Sequence, residues 1–319
     1  MKKSLLLNIS KDYNLGELDS FELISEGLVN YNYSVKTSKG EFIFRFLGRK
    51  VDSYKLKKIE LEFKVLNFLK RKNFTYEVPA PIKNIKGEYL SQYGSNSLWV
   101  YKKIKGERIH HPNTIEQIKE MARAIAIYHK KLKDFPSPST MPRIFSLNWL
   151  NEKYTEMQKV RSKRKVDLLM KKNLPFFKKL MIILANKDLK KDVLPIHGDI
   201  HGANVLFVNE KMVAIIDFDN LQFAPKMQDV SYTIRQSCFS SGKPDGEKIA
   251  IFLKEYKKIN NLSNEEIKAI PFLMLRDNCI VFWWFYSEMK KNLNKQCDLI
   301  KWTAEAARNT VKYFKIELK

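Results

Sequence analysis

One stretch near the middle of the chain places three oxygen-bearing side chains around two short apolar runs. Asp199 comes first, Asn204 stands just before the run 205–208, and Asp217 stands just after the run 213–216. The two runs, with a short polar segment between them, predict an antiparallel hairpin. Antiparallel pairing brings the start of one strand beside the end of the next, so Asn204 and Asp217 are expected to lie close together. Turn formation alone would explain any one of the three residues, but it does not explain all three around one hairpin.

These residue types supply what metal-dependent phosphoryl transfer requires. A carboxylate such as Asp199 can orient and deprotonate a hydroxyl, while oxygen ligands such as Asn204 and Asp217 can hold Mg²⁺ on nucleotide phosphates. The nearby His197 and His201 do not indicate zinc, because no third ligand of the usual kind follows at zinc-site spacing. The residues therefore favour a kinase.

Composition limits the class of protein. The chain has 319 residues with 44% hydrophobic and 12% aromatic residues, a globular composition that excludes global disorder. Its three cysteines lack C-x-x-C spacing, which argues against a disulfide framework and a structural zinc site and suits a reducing compartment. The apolar run 5–7 near the start is too short for a signal peptide, and no uninterrupted apolar run is long enough to span a bilayer. We expect a cytoplasmic protein without a membrane span.

The formal net charge of +23 raises the alternative of a nucleic-acid-binding protein. The lysines are spread along the chain, with a local concentration in residues 153–191, where apolar residues recur between them. No nucleic-acid-binding motif accompanies this charge, so we interpret the segment as helical with a solvated basic face. A nucleic-acid partner is not expected.

Hydrophobic patterns change along the chain from strand-like to helix-like. Period-two or β-branched runs predict strands, and apolar residues at helical spacing predict helices. The predicted strands are 21–24, 31–36, 41–46, 76–85 and 97–104, and the predicted helices are 55–71 and 115–132, with long helical segments in 146–187 and 247–319. The pattern predicts an α+β fold with two lobes, a small β-rich lobe over residues 1–101 and a larger, mainly helical lobe over 102–319.

The motif residues resemble a known signature. His197-Gly198-Asp199-Ile200-His201-x-x-Asn204, followed by Ile216-Asp217-Phe218-Asp219, is similar to the signature of the aminoglycoside phosphotransferase, choline kinase and homoserine kinase superfamily. The resemblance implies small-molecule kinase activity and a protein-kinase-like fold. It implies that Asp199 is the catalytic base, that Asn204 and Asp217 bind Mg²⁺, and that Asp219 assists a second metal position. His197 would shape the loop and His201 would support it by hydrogen bonding.

The resemblance extends to the β-rich lobe. The segment containing Gly27 and Asn30 is similar to the family's nucleotide-covering hairpin, and Arg45 stands where the family has a phosphate-binding cation. Glu62 matches the helix glutamate that pairs with that cation, although Glu60 is a competing candidate two residues earlier.

Three other positions also match the family. The backbone around Val100 and Tyr101 occupies the place of the interlobe hinge that binds adenine. Asp229 matches an aspartate that braces the catalytic loop without touching the substrate.

The predicted activity is transfer of the ATP γ-phosphoryl group, with Mg²⁺, to a hydroxyl of a small molecule; GTP is a possible donor. Candidate acceptors are amino alcohols, homoserine-like and choline-like compounds, sugars and aminoglycosides. Two alternatives stay open within the same fold, a kinase for serine and threonine hydroxyls of proteins and a non-catalytic nucleotide-binding module. The sequence leaves the oligomeric state open.

Overall fold

A computed structural model describes residues 3–26, 30–48, 50–109, 113–136, 147–185, 187, 193–288 and 292–318. The chain forms two compact units. The first unit contains Met1–Arg108 and Asn204–Leu221, and the second contains Ile109–Ala203 and Gln222–Lys319. The lobe bounds 1–101 and 102–319 stay a prediction. In the division by compactness, the hairpin that carries the predicted metal ligands belongs to the same unit as the N-terminal part of the chain.

The strands and helices are numbered in chain order. The strands are β1 (Leu18–Glu26), β2 (Tyr31–Thr37), β3 (Gly40–Phe46), β4 (Pro81–Ile82), β5 (Leu90–Tyr93), β6 (Asn96–Lys102), β7 (Val193–Ile196), β8 (Val205–Val208), β9 (Lys211–Ile215), β10 (Gln222–Pro225), β11 (Phe239–Ser240) and β12 (Lys243–Pro244). The helices are α1 (Lys3–Asp12), α2 (Ser53–Arg71), α3 (Ile115–Leu132), α4 (Leu147–Lys159), α5 (Lys165–Ala185), α6 (Lys226–Ser237), α7 (Gly246–Lys257), α8 (Asn264–Glu288) and α9 (Leu293–Tyr313).

The first unit is built on an antiparallel sheet. Its strands lie in the order β1-β2-β3-β6-β4, and β5 also pairs with β6. The unpredicted helix α1 packs on this sheet, and Leu6 and Ile9 are fully buried in a cluster that includes Phe44 of β3 and Val100 of β6. The apolar residues near the start of the chain therefore belong to this core.

Helix α2 follows the third strand and turns one face into the first unit. Asp52 caps its N-terminus by accepting a hydrogen bond from the amide of Lys55 at 2.7 Å. Ile59, Leu66 and Leu69 at helical spacing are buried, as the sequence pattern predicts. Glu62 lies among these buried positions, so the helix carries a carboxylate into the interior.

The hairpin of β8 and β9 confirms the predicted pairing. Val205 pairs with Ile215, and the amide of Ile216 donates to the carbonyl of Asn204 at 2.9 Å, which brings the two chain segments together at the mouth of the hairpin. The turn is tighter than predicted, since it consists of Asn209 and Glu210, both with positive φ, and β9 already begins at Lys211.

Backbone bonds attach this hairpin to the rest of the first unit. Glu77 donates to Val213 at 2.8 Å and accepts from Ile215 at 3.0 Å, while Glu107 and Phe207 exchange two bonds of 2.9 Å. These two bridges explain why residues 204–221 group with the N-terminal residues.

Gly106 lies where this attachment is tightest. Its φ is +140°, and a Cβ at this position would stand 2.9 Å from Leu206 Cβ and 3.2 Å from the Phe207 carbonyl oxygen. Gly106→Ala is therefore expected to lower the free energy of unfolding by about 2–3 kcal/mol, through backbone strain and displacement of the hairpin. Urea denaturation measures this change.

Gly94 provides the matched control. Its φ is +60°, and a Cβ there would meet nothing within 4 Å. Gly94→Ala is expected to cost only about 1 kcal/mol, the cost of the left-handed backbone conformation alone. Equal losses in the two variants would contradict the close packing at Gly106.

The second unit is mainly helical. Helices α4, α5, α8 and α9 share one apolar core, in which the rings of Phe177 and Phe282 stack with their centres 4.0 Å apart. The two short strands β7 and β10 pair with each other and lead into the loop of Asp199 and the start of α6. No helix in the described residues is both long and apolar enough to cross a membrane.

The secondary structure confirms most of the sequence predictions. Helix α3 has the predicted bounds, beginning at a capping box of Thr114 and Gln117. The predicted strand over 76–85 is wrong: only Pro81–Ile82 forms a strand, with an isolated bridge at Glu77, because Pro79 and Pro81 cannot donate to a ladder. The sequence pattern does not predict the elements α1, β5, β10, α6, β11 and β12.

Candidate active site

The site residues of the first unit centre on Arg45. Its side chain projects from β3 and is almost completely buried, at 4% exposure. Its Nη2 contacts Asp217 Oδ1 at 2.8 Å and Asp219 Oδ2 at 2.9 Å. The guanidinium carbon lies 5.8 Å from the centre of the buried Trp99 ring. One cation thus holds two carboxylates in place.

The electrostatics of Arg45 follow from this geometry. Burial is the largest single effect and by itself would lower the pKa of the guanidinium, but Asp219, Asp217 and the acidic groups beyond them together raise the pKa well above its ordinary value. Asp217 adopts a left-handed backbone conformation, with φ 66° and ψ 66°, directly before a 3-10 turn over Phe218–Asn220. A non-glycine residue in this conformation is uncommon and often marks a functional turn.

Asp219 receives donors from two further elements. Asn30, buried at the start of β2, donates its side-chain amide to Asp219 Oδ2. Lys58 of α2 donates to the Asp219 backbone carbonyl at 2.8 Å, and Lys55 Nζ lies 3.9 Å from its carboxylate. Burial and the like charge of Lys55 lower the pKa of Lys58. This turn is therefore surrounded by cations and by the predicted nucleotide-binding residue Asn30.

Glu62 is placed inside the unit and Glu60 is not. Glu62 is 4% exposed, and its Oε1 has no hydrogen-bond partner among the described residues, whereas Glu60 is exposed. Burial, followed by the charge of Asp219, raises the pKa of Glu62 to about 8, although Arg45 opposes the rise. The burial supports the choice of Glu62 over Glu60, and the direct partners of Arg45 are Asp217 and Asp219.

The raised pKa of Glu62 predicts a dependence of stability on pH. The ordinary value is 4.5 and the folded value about 8, so between these values the folded protein retains a proton that the unfolded chain has released. Stability from this group is complete below about pH 4.5 and is lost as the pH rises through about 8. Glu62→Gln removes this loss. As the pH rises from about 5 to about 8.5, the free energy of unfolding of the variant should therefore increase by on the order of 3 kcal/mol relative to that of the wild type.

Urea unfolding at a series of pH values measures that difference. Glu60→Gln is the control, because an exposed carboxylate should give a pH dependence close to that of the wild type. Parallel curves for the wild type and Glu62→Gln would show that Glu62 is ionised in the native protein throughout this range.

The predicted metal ligands are hard oxygen donors on one hairpin. Asn204, which is buried, ends a 3-10 turn before β8, and Asp217 follows β9. Asp217 and Asp219 already converge on one cationic nitrogen of Arg45, so their carboxylates are directed to a common position. In the described residues no three His, Cys, Asp or Glu side chains form a metal-binding group. The donor set fits Mg²⁺, which in kinase sites takes one or two carboxylates with phosphate oxygens and water.

The other residues predicted to bind the nucleotide are Val100, Tyr101 and Gly27. Val100 and Tyr101 lie inside β6 and face β3 on one side and β4 on the other. Burial raises the pKa of Tyr101 to about 12, so its hydroxyl is neutral. Their part in adenine binding stays a prediction. Gly27 lies outside the described residues.

In the second unit, Asp229 organises the loop that carries Asp199. This fully buried carboxylate, on the first turn of α6, accepts from the amides of His197 at 2.8 Å and Gly198 at 2.7 Å. Its Oδ2 also lies 3.2 Å from His129 Nε2, and His129 Nδ1 lies 2.8 Å from the hydroxyl of Tyr256. Gly198 has a φ of +79°, which a glycine adopts readily. These bonds support the prediction that Asp229 braces the loop, and that role stays a prediction.

The side chains around Asp199 close the loop on itself. His197 Nδ1 accepts from the Asp199 amide at 3.3 Å, and His201 Nδ1 accepts from the Ala203 amide at 3.3 Å. His201 Nε2 lies 3.6 Å from Asp199 Oδ1. The hydroxyl of Tyr232 donates to the same oxygen of Asp199. The carboxylate is thus held by groups from its own loop and from α6.

Sequence reasoning missed Lys58 and Tyr232. Lys58 had a signal in helical spacing, since it lies four residues before Glu62 on the predicted helix α2, and residues at this separation share a helix face. Tyr232 lies three residues after Asp229 on α6, a helix that the sequence pattern does not predict, so it had no comparable signal.

Comparison with known proteins relates the chain to one family. The model of a family described as the phosphotransferase enzyme family matches residues 20–257. A homoserine kinase of Rhizobium meliloti (strain 1021) is 25% identical over 279 residues, covering 84% of this chain and 79% of that protein.

Solved structures share the fold. A spectinomycin phosphotransferase in complex with ADP and spectinomycin superposes with a TM-score of 0.69 at 18% identity, covering 97% of this chain and 98% of that one. A microcompartment-associated aminopropanol kinase gives a TM-score of 0.68 at 16% identity, covering 98% and 99%. The comparisons confirm the predicted kinase-like α+β fold.

Proposed function

The chain belongs to the phosphotransferase enzyme family, and from that premise we propose that it transfers the γ-phosphoryl group of ATP, with Mg²⁺, to a hydroxyl of a small molecule. A phosphotransferase acting on a hydroxyl is what the family and the homoserine kinase relatives indicate. The observation that carries the finer proposal is the convergence of Asp217 and Asp219 on the buried cation of Arg45.

In this proposal, Arg45 exchanges its two carboxylate partners for phosphate oxygens when a nucleotide binds. In the protein alone, the one cation of Arg45 is shared between the two carboxylates, so it offsets only part of their negative charge. Phosphate oxygens can replace the carboxylates on the guanidinium, which suits bidentate contact. Asn204, Asp217 and, at a second position, Asp219 would then hold Mg²⁺, which neutralises charge on the phosphates during transfer. Asn30 is bonded to Asp219 and would link this turn to the nucleotide-covering hairpin.

Asp199 is proposed as the catalytic base. Asp229 fixes the backbone of its loop through two amides, so the segment that carries the Asp199 carboxylate is held in place. A carboxylate so placed can align an acceptor hydroxyl and take its proton as the bond to phosphorus forms. Positioning and charge neutralisation supply most of the catalysis in reactions of this type.

The acceptors to test first follow from the names of the relatives. Homoserine and aminopropanol both carry a hydroxyl and an amino group on a short chain, and the kinases named for them match most of this chain in sequence or in fold. We therefore propose a small amino alcohol or hydroxy amino acid as the acceptor, with choline-like amines, sugars and aminoglycosides as the wider set. A cytoplasmic location also stays a prediction.

An ADP-release screen of the full chain with ATP and Mg²⁺ tests the proposal. Homoserine, 1-amino-2-propanol, choline, a hexose and spectinomycin are the acceptors, and each is repeated with GTP and with EDTA. We expect ADP release above the acceptor-free rate with an amino alcohol or hydroxy amino acid, abolished by EDTA. Acceptor-independent rates throughout, with no ATP-dependent rise in melting temperature, would overturn the proposal.

A further inference from the structure

Two of the contacts between helix α6 and the Asp199 loop lie one helical turn apart. Asp229 accepts the loop amides of His197 and Gly198, and Tyr232, three residues later, donates its hydroxyl to Asp199 Oδ1. The first contact fixes the loop backbone, and the second reaches the side chain that performs the chemistry. The same helix face thus holds both the loop and its carboxylate.

A second hydrogen bond determines the direction of the Tyr232 proton. Gln236, four residues further along α6, donates its side-chain amide to the Tyr232 oxygen at 3.1 Å. Because a phenol has a single proton and Gln236 occupies an acceptor position of its oxygen, that proton is directed to Asp199. The guanidinium carbon of Arg235 lies 5.1 Å from the centre of the Tyr232 ring and packs against it.

The Tyr232 hydroxyl stays protonated and can therefore always donate a hydrogen bond. Its burial, and next the charge of Asp199, raise the pKa of the phenol well above its ordinary value. The hydroxyl therefore keeps its proton across the working pH range. The groups that face the Asp199 carboxylate include Tyr232 from α6 and His201 from the same loop, and the cation of Arg235 lies behind the Tyr232 ring.

We propose that Tyr232 is a positioning residue for phosphoryl transfer, which holds the Asp199 carboxylate in one orientation and lowers its affinity for a proton. The proposal rests on the proposed function, in which Asp199 is the base. A hydrogen bond to the charged form of a carboxylate favours that form. Without it, the base would be less well aligned and would be protonated at a higher pH.

Tyr232→Phe tests the proposal in the full chain. The rate is measured with ATP, Mg²⁺ and homoserine, or with whichever compound of the panel is phosphorylated fastest, from about pH 4, near the ordinary pKa of an aspartate, to about pH 9. We expect kcat to fall about tenfold and the acidic limb of kcat/KM to move up by about one pH unit, since one hydrogen bond to a charged group is lost. KM for ATP should stay within about twofold, because Tyr232 is not among the residues proposed to bind the nucleotide.

A matched control removes the same kind of bond elsewhere. Tyr93 on β5 donates its hydroxyl to Asp12 Oδ2, so Tyr93→Phe also deletes a tyrosine–aspartate hydrogen bond. Its kcat and pH profile should equal those of the wild type. If Tyr232→Phe does not fold, Gln236→Leu replaces it, because this variant keeps the phenol but removes the donor that orients its proton. A smaller shift of the acidic limb in the same direction is then expected.

The outcomes separate this proposal from the assignment of the base. A Tyr232→Phe protein with wild-type kcat and an unmoved acidic limb overturns the proposal if Asp199→Asn is inactive. If Asp199→Asn is itself fully active, the base assignment fails, and the proposal fails with it. A loss of melting temperature with no shift of the acidic limb would show that Tyr232 serves the fold alone, which also overturns the proposal.

Discussion

Replacing Asp199 by asparagine is expected to lower kcat by about 10²–10⁴-fold, the usual contribution of a positioned general base. Asparagine has the same size and retains an oxygen to accept from the Tyr232 hydroxyl, so the loop should stay in place. It cannot take the proton of the acceptor hydroxyl at neutral pH. Binding of ATP with Mg²⁺, measured by titration, should change little.

The control is another aspartate changed in the same way. Asp298 on α9 is largely exposed, with its nearest cation, Lys301, 3.7 Å away. Asp298→Asn should leave kcat and the melting temperature unchanged. An Asp199→Asn protein whose kcat stays within about threefold of the wild type for every accepted substrate would show that another group is the base.

Replacing Arg45 by methionine is expected to have the largest effect on stability. The change leaves the buried Glu62 carboxyl, and the carboxylates of Asp217 and Asp219, without the cation that opposes them. Removing one member of a buried charge cluster is strongly destabilising, and we expect a loss of about 3 kcal/mol in the free energy of unfolding. Affinity for ATP should fall about 10–100-fold through the lost phosphate contact.

The same variant tests the metal ligands without measuring turnover. Mg²⁺ alone should raise the melting temperature of Arg45→Met more than that of the wild type, because Asp217 and Asp219 no longer bind a guanidinium. Lys36→Met is the control: its partner Asp19 is 3.2 Å away and both side chains are 60% exposed, so the loss should be within about 0.5 kcal/mol. Equal losses in the two variants would contradict the buried cluster.

The site could be predicted from sequence where its residues are close along the chain. Asn204 and Asp217 are linked by one hairpin, and hairpin register follows from the apolar pattern, so their proximity was predictable. Arg45 and Glu62 could be assigned only by resemblance, because a cation in an apolar strand has no local signature. Their burial in the structure agrees with that assignment.

Contacts between distant segments were not predictable. Asp219 bonds Asn30 across 189 positions, and Tyr232 reaches Asp199 across 33. Such contacts depend on how separate elements pack, and a single sequence carries no periodic signal for packing. Helix α6 was not predicted because its first two turns are almost wholly buried, including their polar residues. The apolar–polar periodicity that marks a surface helix is therefore weak in its sequence.

The sequence by itself determined the two-lobed α+β pattern and the helix α3, and it placed oxygen donors at the ends of one hairpin, because these features depend on periodicity and on short chain separations. Only the tertiary structure decided that Arg45 is held by both Asp217 and Asp219, that Glu62 and not Glu60 enters the interior, and that Tyr232 is bonded to Asp199. Charges and hydrogen bonds of this kind acquire their strength from burial, and burial exists only once the elements have packed.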